Sequence, residues 1–248
     1  MRSARELLIR KSCLVLLALS AAIMLVGRTF VQVSFAQVSP TLKKISDRAA
    51  IVIGHREASV PFSHIDQNQK PIGFSIDLCL EIADAVKEEL KKPDLRIDYL
   101  PVTLQTQFAL LANVTVDLES GSTTNTFSRQ SQAAFTFSTF IAGTKIMVRR
   151  NSGIKSVDGF SGKTLVVLPG TTNGRALKAY IEQKRMNTRV LNVREHAEAL
   201  LAMETDRADA YGSDDVLLYG SRAGAKNPDQ YGVVGEFLTL RSLRHAAQ

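Results

Sequence analysis

Apolar and polar residues are arranged along the chain in a way that predicts strands and helices in turn. Residues 49–53 are almost all apolar and predict a buried strand, whereas residues 95–100 alternate in polarity and predict a second strand. Between them, Ser75 precedes an apolar stripe with helical spacing, which predicts a helix capped by that serine. The stripe contains Ile76, Cys79, Leu80, Ala83, Val86 and Leu90. A short amphipathic helix is predicted at residues 105–112, and a short buried strand at residues 114–118.

The same pattern starts again in the second half of the chain. The predicted strands cover residues 144–149, 164–168, 189–193 and 208–212, and the predicted helices cover residues 170–184, residues 196–205 and a segment that begins at Asp214. Strands that alternate with helices indicate mostly parallel sheets flanked by helices. Two such units in one chain predict an α/β fold with two lobes and a cleft between them.

The polar loops that follow the strands contain the candidate chemistry, because ligands of parallel sheets bind at the carboxyl ends of the strands. Residues 120–124 are rich in hydroxyl groups and precede a helix that should begin near Thr126, and helix starts of this kind hold anions. Arg129 can then grip a carboxylate with two parallel hydrogen bonds. The alternative is a polar turn with a helix cap and a solvated arginine. Arg56 follows another strand, and residues 170–174 form a second hydroxyl-bearing turn before a helix.

The amino terminus has the pattern of an export signal. An apolar run over residues 13–26 follows four basic residues, Arg2, Arg5, Arg10 and Lys11. Ser34 and Ala36 then provide the small side chains that a signal peptidase reads. We predict that residues 1–36 are a cleaved signal peptide, and the alternative is an uncleaved membrane anchor.

Composition argues against a nucleic-acid partner. The whole chain has 31 basic and 24 acidic residues and a formal net charge of +7. Residues 1–36 hold five of the basic residues and one of the acidic residues, so their removal leaves a net charge of only about +3. The sequence has no basic stripe with interleaved aromatic residues. After residue 36 the chain has one cysteine, Cys79, so no internal disulfide bond can form there.

Four motifs occur in a fixed order along the chain. They are Ile-Gly-His-Arg-Glu-Ala-Ser-Val-Pro-Phe-Ser at residues 53–63, Glu-Ser-Gly-Ser-Thr-Thr-Asn at residues 119–125 with Arg129 after it, Gly-Thr-Thr at residues 170–172, and Ser-Asp-Asp at residues 213–215. This ordered set, far more specific than any one motif, resembles the periplasmic glutamate/aspartate-binding proteins of ABC importers, which belong to the type II solute-binding family, family 3. The similarity covers roughly residues 41–238.

The resemblance implies a periplasmic, two-lobed protein that closes on an amino acid and presents it to the transmembrane permease of an ABC importer. We expect a monomer with no catalytic residue, no cofactor and no metal. The predicted segments are a signal peptide at residues 1–36, an incomplete first lobe at 37–143, a second lobe at 144–238 and an aberrant basic tail at 239–248. The family normally returns to the first lobe at this point through a second hinge strand and closing helices. We expect these to be absent, as in a truncated or frameshifted product, and the first lobe to expose apolar surface.

The resemblance also assigns seven ligand-binding residues. They are Arg129, Thr124 and Thr172 for the α-carboxylate, Ser122 and Asp214 for the α-ammonium group, and Arg56 and His196 for the side-chain end. The candidates that lie next to helix starts could instead have a purely structural role. His196 would merely flank its helix, and Asp214 would merely cap one, as would Thr171 and Thr172 together.

Two positions depart from the family pattern. Leu104 and Gln107 stand where glutamate/aspartate binders usually carry a serine and an arginine. The loss of a bidentate carboxylate contact weakens the case for an acidic ligand, and an amide or another polar amino acid becomes plausible.

Two other classes remain open. Some proteins of this fold are enzymes, including a periplasmic dehydratase and murein-cleaving transglycosylases, and Glu57 or Glu119 would then serve as the acid. The other possibility is a fragment too incomplete to bind any ligand.

Overall fold

The computed structural model describes residues 39–243 and 246–247, and the predicted signal peptide lies outside these described residues. Within the described part, no helix has both the length and the apolar character needed to cross a membrane.

The elements follow the predicted alternation of strands and helices. The helices are α1 (Pro40–Arg48), α2 (Phe74–Glu89), α3 (Gln107–Ala112), α4 (Phe127–Gln130), α5 (Thr172–Gln183), α6 (His196–Glu204) and α7 (Asp215–Ala223). The strands are β1 (Ala50–His55), β2 (Ala58–Ser59), β3 (Ser63–Ile65), β4 (Pro71–Ile72), β5 (Arg96–Pro101), β6 (Leu118–Ser120), β7 (Ala134–Phe135), β8 (Phe140–Arg149), β9 (Thr164–Val167), β10 (Arg189–Asn192), β11 (Ala210–Asp214), β12 (Tyr231–Leu243) and β13 (Ala246–Ala247).

The first sheet has the strand order β5-β1-β6-β13-β7. β1 pairs in parallel with β5 and β6, whereas β13 is antiparallel to both β6 and β7. Cys79 and Ala83 of α2 form one buried apolar cluster with Ile51 and Ile53 of β1. The apolar stripe read from the sequence therefore packs the helix onto the sheet and makes the core of the first lobe.

The second sheet has the strand order β10-β9-β11-β8-β12. β9 is parallel to β10 and β11, and β8 is antiparallel to β11 and β12. Leu165 and Val167 belong to the apolar cluster that contains Leu177 of α5, whereas Val166 belongs to the cluster that contains Met203 of α6. Because successive side chains of a strand point to opposite faces, this sheet is buried on both faces. The two sheets and their helices confirm the predicted two-lobed α/β architecture.

The expected loss of pairing after residue 238 is wrong. β12 continues to Leu243, with residues 239–243 paired to residues 140–144 of β8, and β13 adds a strand to the first sheet. The return to the first lobe is therefore present as strands rather than as an unpaired basic tail. Pairing uses backbone groups, and an edge strand such as β12 needs few apolar side chains, so a basic composition does not prevent it. Leu243 is nevertheless buried with Phe62 and Leu217.

The chain passes between the two sheets twice, from β7 to β8 and from β12 to β13. No α-helix follows α7 in residues 39–243 and 246–247. On the first lobe, Phe127 and Phe137 are each 92% exposed.

Candidate functional site

The seven residues assigned to the ligand lie around one cleft. They are Arg56, Ser122, Thr124, Arg129, Thr172, His196 and Asp214. They come from the loops and helix starts that follow β1, β6, β9, β10 and β11, as expected for a site at the carboxyl ends of parallel strands. Further residues also line the cleft, namely Leu104, Gln107, Thr123, Thr171, Asn173, Ser213 and Leu217.

Arg129 is a buried arginine that spans the cleft. Its Nη1 donates a hydrogen bond to the carbonyl oxygen of Thr124 at 2.8 Å, and its Nη2 donates to the carbonyl oxygen of Gly170 at 3.3 Å. Thr126 caps α4 by accepting a hydrogen bond from the backbone N–H of Arg129, and the guanidinium carbon lies 5.5 Å from the ring centre of Phe108. These contacts fix the guanidinium group between the two lobes.

Two threonine hydroxyls face each other beside this arginine. Oγ1 of Thr124 lies 3.2 Å from Oγ1 of Thr172 on the opposite lobe. The neighbouring Thr171 is the cap of α5, since its hydroxyl accepts from the backbone N–H of Gly174 at 2.9 Å and donates to the carbonyl oxygen of Leu168 at 2.7 Å. The capping alternative therefore describes Thr171, and Thr172 is left to line the cleft.

Asp214 brings a buried carboxyl group to the cleft. It occupies the cap position of α7, but its side chain makes no capping hydrogen bond to that helix. The next residue, Asp215, accepts a hydrogen bond from the backbone N–H of Gly143 at 3.1 Å. Ser122 lines the same cleft and is half-buried. A carboxylate and a guanidinium in one buried cleft can together match the two charges of a zwitterion.

Arg56 makes a second contact between the lobes. Its side chain is 2% exposed, and one of its terminal nitrogens forms an ion pair with the carboxylate of Glu195. Glu195 is the residue before α6, and its side chain is 28% exposed. The Nε of Arg56 has no hydrogen-bond partner in the described part of the chain. Its backbone N–H donates to the hydroxyl of Ser63 at 2.9 Å, which fixes the loop after β1. Sequence reasoning missed Glu195, although it directly precedes the candidate His196.

Glu119 is a fully buried acid behind this arginine and does not line the cleft. A Cβ atom placed on Gly121 would lie 2.3 Å from Oε1 of Glu119 and 3.3 Å from Cγ of Arg56, so the carboxyl group and the arginine stem are neighbours. Because these atoms are so close, residue 121 has no room for a Cβ atom and is a glycine. Burial raises the pKa of Glu119, against the opposing effects of the Thr123 hydroxyl and of the two guanidinium groups of the site.

His196 is the first residue of α6 and is buried at the cleft. Its Nδ1 is hydrogen-bonded to the hydroxyl of Tyr211. Burial, together with the positive charge of Arg56, lowers the pKa of His196 to about 3. The imidazole is therefore neutral at ordinary pH and can both donate and accept a hydrogen bond.

The two positions that depart from the family pattern both line the cleft. Gln107 begins α3, is only 1% exposed, and accepts a long hydrogen bond from the hydroxyl of Thr123 at 3.5 Å. Leu104 packs against an apolar cluster of the second lobe that includes Met147 and Val166. This part of the cleft is therefore uncharged.

Ser75 has a different role from the predicted one. Helix α2 begins after Gly73, which holds the cap position with a φ of 126°, and a Cβ atom there would lie 2.6 Å from the carbonyl oxygen of Phe62. The hydroxyl of Ser75 instead donates to the carbonyl oxygen of Gly121 at 2.7 Å. The predicted cap is wrong, because a glycine can adopt a backbone conformation there that a serine rarely adopts. The serine instead holds the loop after β6.

A two-lobed α/β protein with a charged, buried cleft between its lobes is the architecture of a solute-binding protein. The chain belongs to the bacterial extracellular solute-binding proteins, family 3, whose profile matches residues 51–217.

Its relatives include two proteins named for glutamate and aspartate. The chain is 43% identical over 196 residues to the glutamate/aspartate import solute-binding protein of Escherichia coli (strain K12), a match that covers 79% of this chain and 65% of that protein. It is also 43% identical over 200 residues to the L-glutamate/L-aspartate-binding protein of Pseudomonas aeruginosa, covering 80% of this chain and 66% of that one. A solved periplasmic binding protein from Brucella ovis with glutathione bound has the same fold, with a TM-score of 0.75 at 24% identity over 84% of this chain and 65% of that chain. The match therefore spans just under two thirds of the length of these proteins.

Proposed function

We propose that this chain is the extracytoplasmic solute-binding component of an ABC importer, which captures an amino acid in its cleft and presents it to a membrane permease. The observation that carries the proposal is the presence of a guanidinium group, that of Arg129, and a buried carboxyl group, that of Asp214, in one cleft. A buried zwitterion needs an opposite charge for each of its charged groups. The family and the relatives are solute-binding transport proteins, which supports this assignment.

The cleft would hold the parts shared by all amino acids in a defined orientation. Arg129 and the facing hydroxyls of Thr124 and Thr172 are hydrogen-bond donors, so they would bind the α-carboxylate. The hydroxyl of Ser122 and the carboxylate of Asp214 are acceptors, so they would bind the α-ammonium group.

The side-chain end decides which amino acid binds. Arg56, His196, Gln107 and Leu104 line the cleft, and we assign them to this end. The names of the relatives favour glutamate or aspartate as the ligand. Gln107 offers both a donor and an acceptor, whereas an arginine would offer only donors and a full charge, so a related polar amino acid is an equally good candidate.

We further propose that the protein acts as a monomer in the periplasm, after residues 1–36 have directed its export. Cell fractionation tests this, since the processed protein should appear in the periplasmic fraction. Recovery of the whole chain from the cytoplasm would contradict it.

A thermal-shift screen against the common L-amino acids tests the binding function. A ligand that binds only the folded state stabilises it, by about 2.7 kcal/mol at 100 times its Kd. At least one amino acid should therefore raise the melting temperature. The matched controls are 2-oxoglutarate, which lacks the ammonium group, and 4-aminobutyrate, which lacks the α-carboxylate. Neither should act, and a screen in which no amino acid raises the melting temperature would refute the proposal.

An enzymatic function on the same fold has less support. Glu57 is exposed and Glu119 is buried behind Arg56, and neither acid lines the cleft. A general acid has to reach the reacting atom, and these two do not meet that condition in this conformation.

A further inference from the structure

We propose that Glu195, which forms an ion pair with the cleft residue Arg56, determines the ligand specificity of the cleft. By holding the guanidinium group of Arg56, it makes the side-chain end accept an amino acid with an uncharged, hydrogen-bonding side chain, above all a carboxamide, in preference to one with a carboxylate. This inference rests on the proposed function and adds the class of ligand to it.

The first argument is that the positive charge of Arg56 is already matched by the protein. A buried guanidinium group needs an opposite charge, and in an open acidic-ligand site the ligand itself would supply it. Here the carboxylate of Glu195 reaches from the opposite lobe and forms the ion pair, and Arg56 is 2% exposed. No anionic side chain of a ligand is required to balance this arginine.

The second argument is that a further carboxyl group, that of Glu119, lies beside the stem of Arg56. Glu119 is fully buried. A Cβ atom built on Gly121 would lie 2.3 Å from Oε1 of Glu119 and 3.3 Å from Cγ of Arg56, so the carboxyl group and the arginine stem are close to each other. A carboxylate on the ligand that approached Arg56 would therefore meet an arginine already flanked by the carboxyl groups of Glu195 and Glu119. Like charges in a buried site disfavour each other's ionised form.

The third argument is that the rest of the side-chain end supplies no positive charge. His196 is neutral, because burial and Arg56 disfavour its protonated form, and Gln107 and Leu104 are uncharged. Among the described residues that line the cleft, the other arginine is Arg129, which the proposed function assigns to the α-carboxylate.

A carboxamide matches these groups better than a carboxylate does. Its oxygen can accept from the Nε of Arg56, a buried donor with no partner in the described part of the chain. Its NH₂ group can donate to the side-chain oxygen of Gln107, which lines the cleft and accepts a long hydrogen bond of 3.5 Å from Thr123. A carboxylate has no hydrogen to donate, so its oxygens would face the side-chain oxygen of Gln107 without a hydrogen bond, which is unfavourable in a buried site.

Calorimetric titration of the purified protein with L-glutamine and L-glutamate tests the inference. We expect glutamine to bind the unmodified protein more tightly, by about tenfold or more. Glu195→Gln removes the charge with little change of size, and it should lower the preference for glutamine over glutamate by about tenfold. Glu195→Asp keeps the charge and should retain a preference for glutamine. The matched control is Glu198→Gln, which removes an exposed charge from the same helix and should leave the ratio of the two affinities unchanged.

The ratio of the two affinities distinguishes a role in specificity from a role in stability, because a loss of folded protein reduces the binding of glutamine and glutamate equally. A preference of the unmodified protein for glutamate overturns the inference, even if the Glu195 variants fail to fold. An unchanged ratio in folded Glu195→Gln also overturns it. The absence of binding by any amino acid would instead refute the proposed function itself.

Discussion

Arg129 and His196 line one cleft but are assigned to different parts of the ligand. Replacing Arg129 by alanine should abolish measurable binding of every amino acid, because the α-carboxylate is common to all of them and loses its charged partner. The expected loss is about 2–5 kcal/mol of binding free energy. Replacing His196 by alanine should instead change which amino acid binds best. Calorimetry with a panel of amino acids measures both effects, and equal losses in the two variants would contradict the place given to His196.

Substitutions at Gln107 and Leu104 should change the ligand preference of the side-chain end. The double variant Gln107→Arg with Leu104→Ser restores the residues usual in glutamate/aspartate binders and should shift preference toward glutamate or aspartate. A charge-assisted hydrogen bond supports a gain of about 1–3 kcal/mol for the acidic ligand. The single variant Leu104→Ser is the control, since it adds no charge. If the unmodified protein already binds glutamate strongly and rejects glutamine, then Arg56 alone reads the side chain and this prediction fails.

The residues around the cleft show where sequence reasoning reaches its limit. Arg129 and Thr172 were assigned from their motifs, and the structure brings them to one cleft with the other five candidates. Glu195 was missed, because its ion pair with Arg56 joins residues from different lobes and depends on how the lobes meet. Thr123 and Ser213 lie within the motifs and Asn173 directly follows one, so the motifs already marked the segments that line the cleft.

At the level of single elements, the start of α5 links stability to the site. Thr171→Ala removes the cap of this helix and should lower the free energy of unfolding by about 1 kcal/mol, while Thr171→Ser keeps the hydroxyl and should have little effect. The comparison is made by chemical denaturation of both variants. A similar loss in the serine variant would show that the methyl group, rather than the cap, is what stabilises this turn.

Most elements were predictable from pattern alone, because they are long enough to show a period. Helices α2 and α5 begin and end within about two residues of their predicted limits, and β1 and β5 are displaced by only one or two residues. The short strands β2, β3 and β4 were missed, since two or three residues carry no period. β12 and β13 were misread because their partners lie far away in the sequence, where a local pattern gives no information.

For the whole molecule, the buried imidazole of His196 predicts a dependence of stability on pH. Its pKa falls from 6.5 in the unfolded chain to about 3 in the folded protein. Between these values the unfolded chain binds a proton and the folded protein does not, so this residue lowers the free energy of unfolding as the pH falls below about 6.5. The raised pKa of Glu119 acts in the opposite sense, since it favours the folded protein at low pH and loses this effect as the pH rises.

The variant His196→Gln isolates the contribution of the imidazole. Denaturation of both proteins at several pH values from about 4 to 7 should show a shallower loss of stability on acidification in the variant. Glu119 is present in both proteins, so its contribution cancels in the comparison. Identical pH profiles would show that His196 titrates normally in the folded protein.

β13 lies between β6 and β7 in the first sheet, although it is synthesised after the whole second lobe. The ribosome therefore has to complete the second lobe before the first sheet can close. Contacts separated by more than about 100 residues form slowly, because a long loop must be ordered before they stabilise anything. The first sheet therefore stays incomplete, without the strand that joins β6 to β7, until the second lobe has been synthesised.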